Sequence, residues 1–220
     1  MCGRFTLAAN AEITAEFFGL EPIPELQPRY NTAPSQRIPV VGNRPKGGRG
    51  LTPLTRGLVC SWENDPDRGF RPINARAETL RGKPMFCGLI ESKRCLIPTA
   101  GFYEWRKVGS KKIPNFIHLG DRSPMAFAGL WDIWDDGARR VRSCCIITTA
   151  ANELVGSIHD RMPVVILPER FDAWLDQDTP AGEIDAMFLP FSAERMAMEE
   201  VSAKVNSPRN EGPGLLDGSV

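Results

Sequence analysis

The sequence has no apolar run of the roughly 18 residues that a membrane-spanning helix needs. Its first residues have no apolar signal-peptide core either, because Glu12 and Glu16 interrupt them. The six cysteines form no Cys-x-x-Cys pair, and His118 and His159 are the only histidines that could join them as metal ligands. We therefore expect a reduced cytoplasmic protein with no metal, no cofactor and no membrane contact.

A Gly-rich phosphate loop and a Ser-His-Asp motif are also missing. The net charge is zero, but the charges are unevenly distributed. Residues 29–94 hold thirteen Lys/Arg and five Asp/Glu, whereas residues 121–220 hold nine and seventeen. The basic part could form a polyanion-binding surface, or the two parts could interleave in space and cancel. The sequence leaves both arrangements open.

Short apolar runs rich in β-branched and aromatic residues dominate the chain and predict strands at 37–41, 57–62, 94–97, 101–107, 113–119, 126–134, 141–149 and 162–167. Helices are predicted after Asn10 and at 77–86, 151–157, 168–176 and 181–188. Residues 42–53 are predicted to form a flexible loop. We expect one α+β domain over residues 2–206, with a mostly antiparallel, curled or barrel-like sheet and short flanking helices, followed by a flexible tail at 207–220.

The most informative feature of the sequence is the cysteine at position 2. Removal of Met1, which is usual before a small residue, would leave Cys2 with a thiol and an α-amine on adjacent carbons. The free groups titrate near ~8.5 and ~7.7–8.0, so both are partly nucleophilic at neutral pH. Such a pair can condense with an aldehyde to a Schiff base and close to a thiazolidine. Alternatively, the amine can act as base for the thiol, as in N-terminal-nucleophile hydrolases.

Three further polar residues are candidates for the same chemistry. Glu104 lies in the aromatic run 101–105. Strand alternation places Glu104 and Phe102 on the same face and Trp105 on the opposite face. A carboxylate there is either paired with a cation or ready for proton transfer. Asn74 precedes a predicted helix and could be a turn or cap residue. His159 lies in a polar segment before a predicted strand. It could be an acid–base catalyst or an ordinary surface histidine.

Five segments occur in an order that resembles the SOS-response-associated peptidase (SRAP) family of abasic-site processing proteins. They are Met1-Cys2-Gly3-Arg4-Phe5, Asn74-Ala75-Arg76-Ala77-Glu78-Thr79, Gly101-Phe102-Tyr103-Glu104-Trp105, Phe127-Ala128-Gly129-Leu130-Trp131 and His159-Asp160-Arg161-Met162-Pro163. The similarity runs from Cys2 to about Asn206. Several motifs in fixed order are far more specific than any one of them.

The resemblance implies a sensor that cross-links covalently to abasic sites in single-stranded DNA and shields them. It implies Cys2 as nucleophile with Asn74, Glu104 and His159 around it. Phosphate contacts would come from Arg4 and Arg76, and base stacking from Trp62 and Trp105. Cross-link reversal, autoproteolytic removal of Met1 and residual lyase activity are implied as well. A self-sufficient site predicts a monomer, associated with the nucleoid when on DNA, and the replication machinery is a candidate partner.

The chain departs from the family pattern Trp-Gly-x-x-Pro-Ser-Trp at two positions. Arg56 stands in place of the first Trp, and Cys60 in place of Pro. The arginine either removes a core or stacking aromatic or adds a phosphate contact. The cysteine adds a thiol.

Two other function classes remain open from the residues alone. A glutamine amidotransferase also begins Met-Cys-Gly, but it needs an Asn-Gly segment, which this sequence lacks, and a synthase domain. A non-covalent reader of single-stranded or modified DNA would share the basic and aromatic residues and leave Cys2 without a role.

Overall fold

The computed structural model describes residues 2–218, so Met1, Ser219 and Val220 lie outside the described residues. The strands are β1 Arg4–Leu7, β2 Arg29–Thr32, β3 Arg37–Asn43, β4 Arg49–Arg56, β5 Asn74–Arg76, β6 Arg94–Thr99, β7 Gly101–Val108, β8 Lys111–Leu119, β9 Met125–Asp135, β10 Arg140–Ala150, β11 Arg161–Pro163, β12 Val165–Ile166 and β13 Met196–Glu200. The helices are α1 Ala11–Phe18, α2 Pro84–Ser92, α3 Glu153–Gly156, α4 Phe171–Leu175 and α5 Ala181–Ala186. None of the helices within 2–218 is long and apolar enough to cross a membrane.

A five-stranded barrel forms the centre of the molecule. Strands β10, β4, β3, β6 and β9 pair in that order, and β9 pairs with β10 to close the ring. The β10–β4 pairing is parallel and the others are antiparallel. Closure removes exposed strand edges and directs alternate side chains inward. Outside the ring, β5 and β11 pair with β10, and β12 pairs with β9.

A second, fully antiparallel sheet of five strands has the order β13-β8-β7-β1-β2. Its inner face packs against the barrel, where the rings of Phe5 and Phe102 meet the ring of Phe127 edge to face at 6.1 and 5.9 Å. Edge-to-face contacts of this kind add to the free energy gained by burying the rings. The joint between barrel and sheet is therefore an apolar core, and we call it the barrel–sheet joint.

Helices α1, α2, α4 and α5 cover the outside of the barrel. The Asn10 side chain accepts a hydrogen bond from the Ile13 amide and caps α1, as the sequence predicts. The buried face of α1 carries Ala15 and Phe18, whereas Ile13 is exposed. The predicted α+β class, with one mostly antiparallel, barrel-like domain and short flanking helices, is confirmed.

Three predicted segments were wrong. The helix expected at 77–86 is a short 3-10 turn at Ala77–Thr79 followed by a turn, and α2 begins only at Pro84, whose ring suits the first turn of a helix. Residues 42–53 were expected to be loop, but most of them belong to the β3–β4 hairpin, and only residues 44–48 form its turn. The glycines that indicate a loop are used in that turn, where Gly47 and Gly48 have positive φ. Residues 57–62, expected to be a strand, are not, because the chain turns away at Gly57 (φ 126°).

The C-terminal segment, residues 201–218, crosses the outer face of the antiparallel sheet. The Asn31 side chain donates to the carbonyls of Val205, Ser207 and Asn210. The Glu211 carboxylate accepts from the Tyr30 amide at 2.8 Å. The predicted division into a domain at 2–206 and a flexible tail at 207–220 stays a prediction.

Ion pairs join arginines and lysines of the basic part to carboxylates of the acidic part, at Arg29–Glu211, Arg49–Asp172, Arg81–Asp185 and Lys93–Asp132. Part of the local charge excess is therefore cancelled in space. Of the two arrangements that the sequence left open, the structure supports interleaving.

Candidate functional site

Cys2 lies at the barrel–sheet joint, immediately before β1. Its side chain is fully buried, in a cluster with Phe5 and Phe102 from the antiparallel sheet and Ile146 from the barrel. The pairing of β1 with β7 places Arg4 opposite Tyr103, which brings the start of the chain alongside Glu104. The N-terminal segment is thus held by a central strand and does not project into solvent.

Arg56 fixes the backbone of this segment. It is the last residue of β4 and is fully buried. Its Nη1 donates to the Gly3 carbonyl at 2.8 Å, and its Nη2 donates to the Cys2 carbonyl. The guanidinium also lies over the Phe5 ring, 5.2 Å from the centroid. Arg56 is therefore directed at the protein interior and offers no surface phosphate contact.

The surroundings change the acidity of the Cys2 thiol. Burial raises its pKa to about 12, the positive charge of Arg56 opposes this rise, and the Glu104 carboxylate adds to it. The free-thiol value assumed from the sequence therefore does not apply, since the thiol is protonated at neutral pH. Nucleophilic use of this sulfur requires a neighbouring group that accepts its proton.

Glu104 is on β7, on the inner face with Phe102, and is buried. The negative charge of the Glu104 carboxylate raises the pKa of the Cys2 thiol. The neighbouring Trp105 faces the other side, where its Nε1 donates to the Asn206 side chain at 2.7 Å. The alternation predicted for this run is confirmed, and it places a carboxylate beside the cysteine.

Asn74 begins β5, a short strand parallel to β10, so the residue is neither a turn nor a helix cap. It pairs with Ile146, which belongs to the same buried cluster as Cys2. Its Oδ1 is buried and has no hydrogen-bond partner among residues 2–218. An amide oxygen in that state can accept from an amine or a hydroxyl that enters the site.

His159 lies just before β11, on the other side of β10. Its Nδ1 lies 3.0 Å from the Arg161 amide nitrogen and 2.9 Å from the Asp160 carboxylate. When Nδ1 accepts the hydrogen bond of that amide, a neutral ring carries its proton on Nε2. In that tautomer Nε2 is a proton donor.

An ion pair that the sequence did not predict ties the turn after β5 to β11. Arg161 binds both oxygens of Glu78, at 2.6 and 2.8 Å, and donates to the Thr148 carbonyl of β10. Its hydrogen bonds hold the pKa of Glu78 below its usual range. The signal was available, because each residue stands within one of the quoted motifs. The pair fixes the two segments that carry Asn74 and His159.

The four candidate DNA-binding residues differ in position. Arg4 is half-buried, and its terminal nitrogens donate to Asn31 Oδ1 at 2.6 Å and to the carbonyls of the C-terminal segment. Arg76, at the end of β5, is exposed and makes no ion pair within the described residues. Trp62 is 60% exposed, and Trp105 is bonded to the C-terminal segment. Arg76 and Trp62 are thus free to meet a ligand, whereas Arg4 and Trp105 hold the protein together.

The remaining polar candidates, Cys60 and His118, lie in the protein interior. Cys60 is buried, and burial raises its pKa to about 11. His118 is buried in β8, with Nδ1 2.7 Å from the Leu119 carbonyl, and is the ordinary strand residue that the sequence predicts. Within residues 2–218, no group of three or more His, Cys, Asp or Glu side chains is arranged to hold a metal ion.

The candidate site is thus Cys2, buried beside the Glu104 carboxylate where a closed barrel meets an antiparallel sheet. The chain belongs to the SOS response associated peptidase (SRAP) family, whose sequence profile matches residues 1–208. The resemblance drawn from the five motifs is confirmed.

The similarity to named proteins extends over nearly the whole length of the chain. It is 41% identical to abasic site processing protein YoqW of Bacillus subtilis over 223 residues, with 99% of each chain covered. It is 30% identical to abasic site processing protein YedK of Escherichia coli over 227 residues, covering 98% of this chain and 99% of that one. A crystal structure of a Bacteroides thetaiotaomicron protein superposes with a TM-score of 0.87 at 26% identity, with 100% of both chains covered.

Proposed function

We propose that this protein processes abasic sites in single-stranded DNA by forming a covalent thiazolidine through Cys2, which shields the lesion. The observation that carries the proposal is the position of Cys2, held at a buried joint beside the Glu104 carboxylate. Family membership and relatives named abasic site processing proteins support the substrate. The proposed reaction requires that Met1 is removed, and Met1 lies outside the described residues.

The first step joins the Cys2 α-nitrogen to the lesion. An abasic deoxyribose must open to expose its C1′ aldehyde, and His159 Nε2–H is the proposed proton donor to the ring oxygen. The amine adds to C1′, and the resulting carbinolamine loses its hydroxyl as water to give the Schiff base. Glu104 is the proposed proton shuttle for this loss, and the Asn74 amide oxygen accepts from the amine or a sugar hydroxyl.

The second step closes the ring. The Cys2 sulfur attacks C1′ of the Schiff base, its proton is relayed to the nitrogen, and both heteroatoms end on the same carbon. The balance is one amine, one thiol and one aldehyde giving one thiazolidine and one water. Since burial keeps the thiol protonated, the amine reacts first and Glu104 is the nearby base that can take the thiol proton.

Binding to the DNA strand is proposed to use Arg76 on phosphate and Trp62 on a base. A stacked base contributes about 1–3 kcal/mol without sequence preference, which suits recognition of a lesion in any sequence. Arg4 and Trp105 support the site from the opposite face of the antiparallel sheet. Autoproteolytic loss of Met1, reversal of the cross-link and residual lyase activity from an unclosed Schiff base are further parts of the proposal.

The test is a denaturing gel of the protein with single-stranded DNA that contains one abasic site. We expect wild type to give a heat-stable shifted band and Cys2→Ala to give none, because ring closure needs the sulfur. Cys87→Ala is the matched control, since Cys87 is exposed and would report non-specific thiol chemistry. Intact mass first establishes that Met1 is absent from the protein used.

Three results would contradict the proposal. A heat-stable adduct in Cys2→Ala would show that the thiol is unnecessary. Binding without a shifted band in wild type would indicate a non-covalent reader. Hydrolysis of glutamine without a shifted band would indicate an amidotransferase.

A further inference from the structure

We propose that Arg56 is a positioning residue for Cys2, which clamps the Cys2 and Gly3 carbonyls with one guanidinium and supplies the positive charge that faces the thiol. The inference rests on the proposed function for its biological meaning. Its geometry is the pair of hydrogen bonds that Arg56 donates to the Gly3 and Cys2 carbonyls.

The clamp depends on the fork shape of arginine. Two nitrogens of one rigid plane reach two successive carbonyls, and this fixes the peptide between Cys2 and Gly3. The adjoining Cα carries the α-nitrogen and the Cβ that bears the thiol, so fixing that peptide limits the directions in which the two nucleophiles point. Correct orientation of reacting groups is a large part of catalysis. A lysine has no second nitrogen at a fixed distance and cannot clamp two carbonyls in this way.

Arg56 is itself held from several sides. Its Cα pairs with Cys144 of β10 in the barrel wall, and Phe5 lies against its guanidinium. The groups that act electrostatically on Arg56 are the thiols of Cys2, Cys144 and Cys145 and the guanidinium of Arg4. No carboxylate forms an ion pair with Arg56 within the described residues, so its charge is left to act on the Cys2 thiol.

The charge has a predictable effect on pH dependence. Arg56 lowers the pKa of the Cys2 thiol against the effect of burial, and Glu104 raises it. In a processed chain the α-amine on the adjacent carbon adds a further charge that is common to all Arg56 variants. Removing the Arg56 charge therefore raises the pH at which ring closure becomes fast.

The experiment uses full-length chains prepared with Cys2 as the first residue, and a small aldehyde, glyoxylate, as probe. The pH profile of the Cys2 thiol is measured from pH 6 to 10 by its alkylation with iodoacetamide, located by mass, and the rate of thiazolidine formation is measured by intact mass. Cross-linking to abasic single-stranded DNA is measured in parallel. Every pH used lies below the pKa of the thiol, so we expect Arg56→Met to displace the alkylation profile by about one pH unit, which lowers the rate about tenfold at each pH, because the neighbouring charge is lost. We expect Arg56→Lys to keep the wild-type alkylation profile but to form the thiazolidine about tenfold more slowly, because it keeps the charge and loses the fork.

Arg94→Met is the matched control. Arg94 is also a buried arginine that donates to backbone carbonyls, those of Ile90 and Trp174, but it lies on the helical side of the barrel. A comparable loss of stability without a change in the pH profile is expected there, and thermal unfolding of all variants measures that loss.

An unchanged pH profile in Arg56→Met would overturn the proposal, and so would failure of wild type to react with glyoxylate. A displaced alkylation profile in Arg56→Met, while wild type forms a thiazolidine with glyoxylate but no adduct with abasic DNA, would support the role of Arg56 and refute the proposed function. The two ideas can therefore fail separately.

Discussion

At neutral pH the Cys2 thiol carries its proton, because burial raises its pKa to about 12. With that pKa, only a very small fraction of the molecules holds a thiolate at pH 7. The order of steps follows from this value: the amine adds first, and the sulfur follows when a base takes its proton.

His159 gives a prediction at the residue scale. If its Nε2–H donates to the sugar oxygen, His159→Gln should slow cross-linking by about 10²-fold, the lower range for loss of a general acid. A DNA strand with an acyclic aldehyde, which has no ring to open, should react with this variant at nearly the wild-type rate. Time courses on denaturing gels with both substrates measure the two effects.

The control for this prediction is His118→Gln, which changes the other histidine, buried on β8. It should not alter the ratio of rates on the two substrates. An equal loss on cyclic and acyclic aldehydes in His159→Gln would refute a role in ring opening.

At the scale of elements, closure of the barrel requires β9 to approach β6 and β10 closely. Gly129 is where this happens. A Cβ added there would lie 2.9 Å from Cys95 Sγ and 2.9 Å from Ile97 Cδ1. The glycine within the Phe127–Trp131 motif is thus explained by packing inside the ring and needs no role in catalysis.

We therefore expect Gly129→Ala to lower the free energy of unfolding by about 1–3 kcal/mol, since overpacking moves neighbouring side chains. Gly42→Ala is the control, because that glycine also lies in a barrel strand and a Cβ there meets nothing within 4 Å. Its effect should stay within about 0.5 kcal/mol. Urea unfolding measures both, and equal effects would contradict the packing explanation.

At the scale of the whole molecule, most of the cysteines are buried as free thiols. Burial raises the pKa of Cys2, Cys60, Cys95, Cys144 and Cys145. Above the ordinary cysteine pKa of 9.0, an unfolded chain loses thiol protons that the folded chain keeps. The stabilisation that these thiols give is complete below pH 9 and is lost as pH rises towards their folded pKa values.

The free energy of unfolding should therefore fall between pH 9 and pH 11, by at most about 1.4 kcal/mol per pH unit for each buried thiol. Cys145→Ala removes a buried thiol and should make the fall less steep, whatever it does to stability at pH 7. Urea titrations at several pH values under reducing conditions give the slopes. A slope unchanged by this substitution would count against thiol linkage.

The sequence by itself determined the family, the α+β class and most of the strands, because the motifs and the period-two alternation are local features of the chain. Alternation alone placed Glu104 and Trp105 on opposite faces. Local signals gave the wrong prediction at glycines with positive φ. Gly47 and Gly48 form the turn of a hairpin that was predicted to be a loop, and the chain turns at Gly57, where a strand was predicted to begin.

Only the tertiary structure decided what surrounds Cys2. The sequence left Arg56 between a lost aromatic and a phosphate contact, and the barrel register turned it inward onto two backbone carbonyls. The ion pair between Glu78 and Arg161 joins residues 83 positions apart, and the cancellation of charge between the two parts of the chain depends on similar distant pairs. The pKa of the thiol depends on burial by distant strands. These are long-range properties, so no window of sequence contains them.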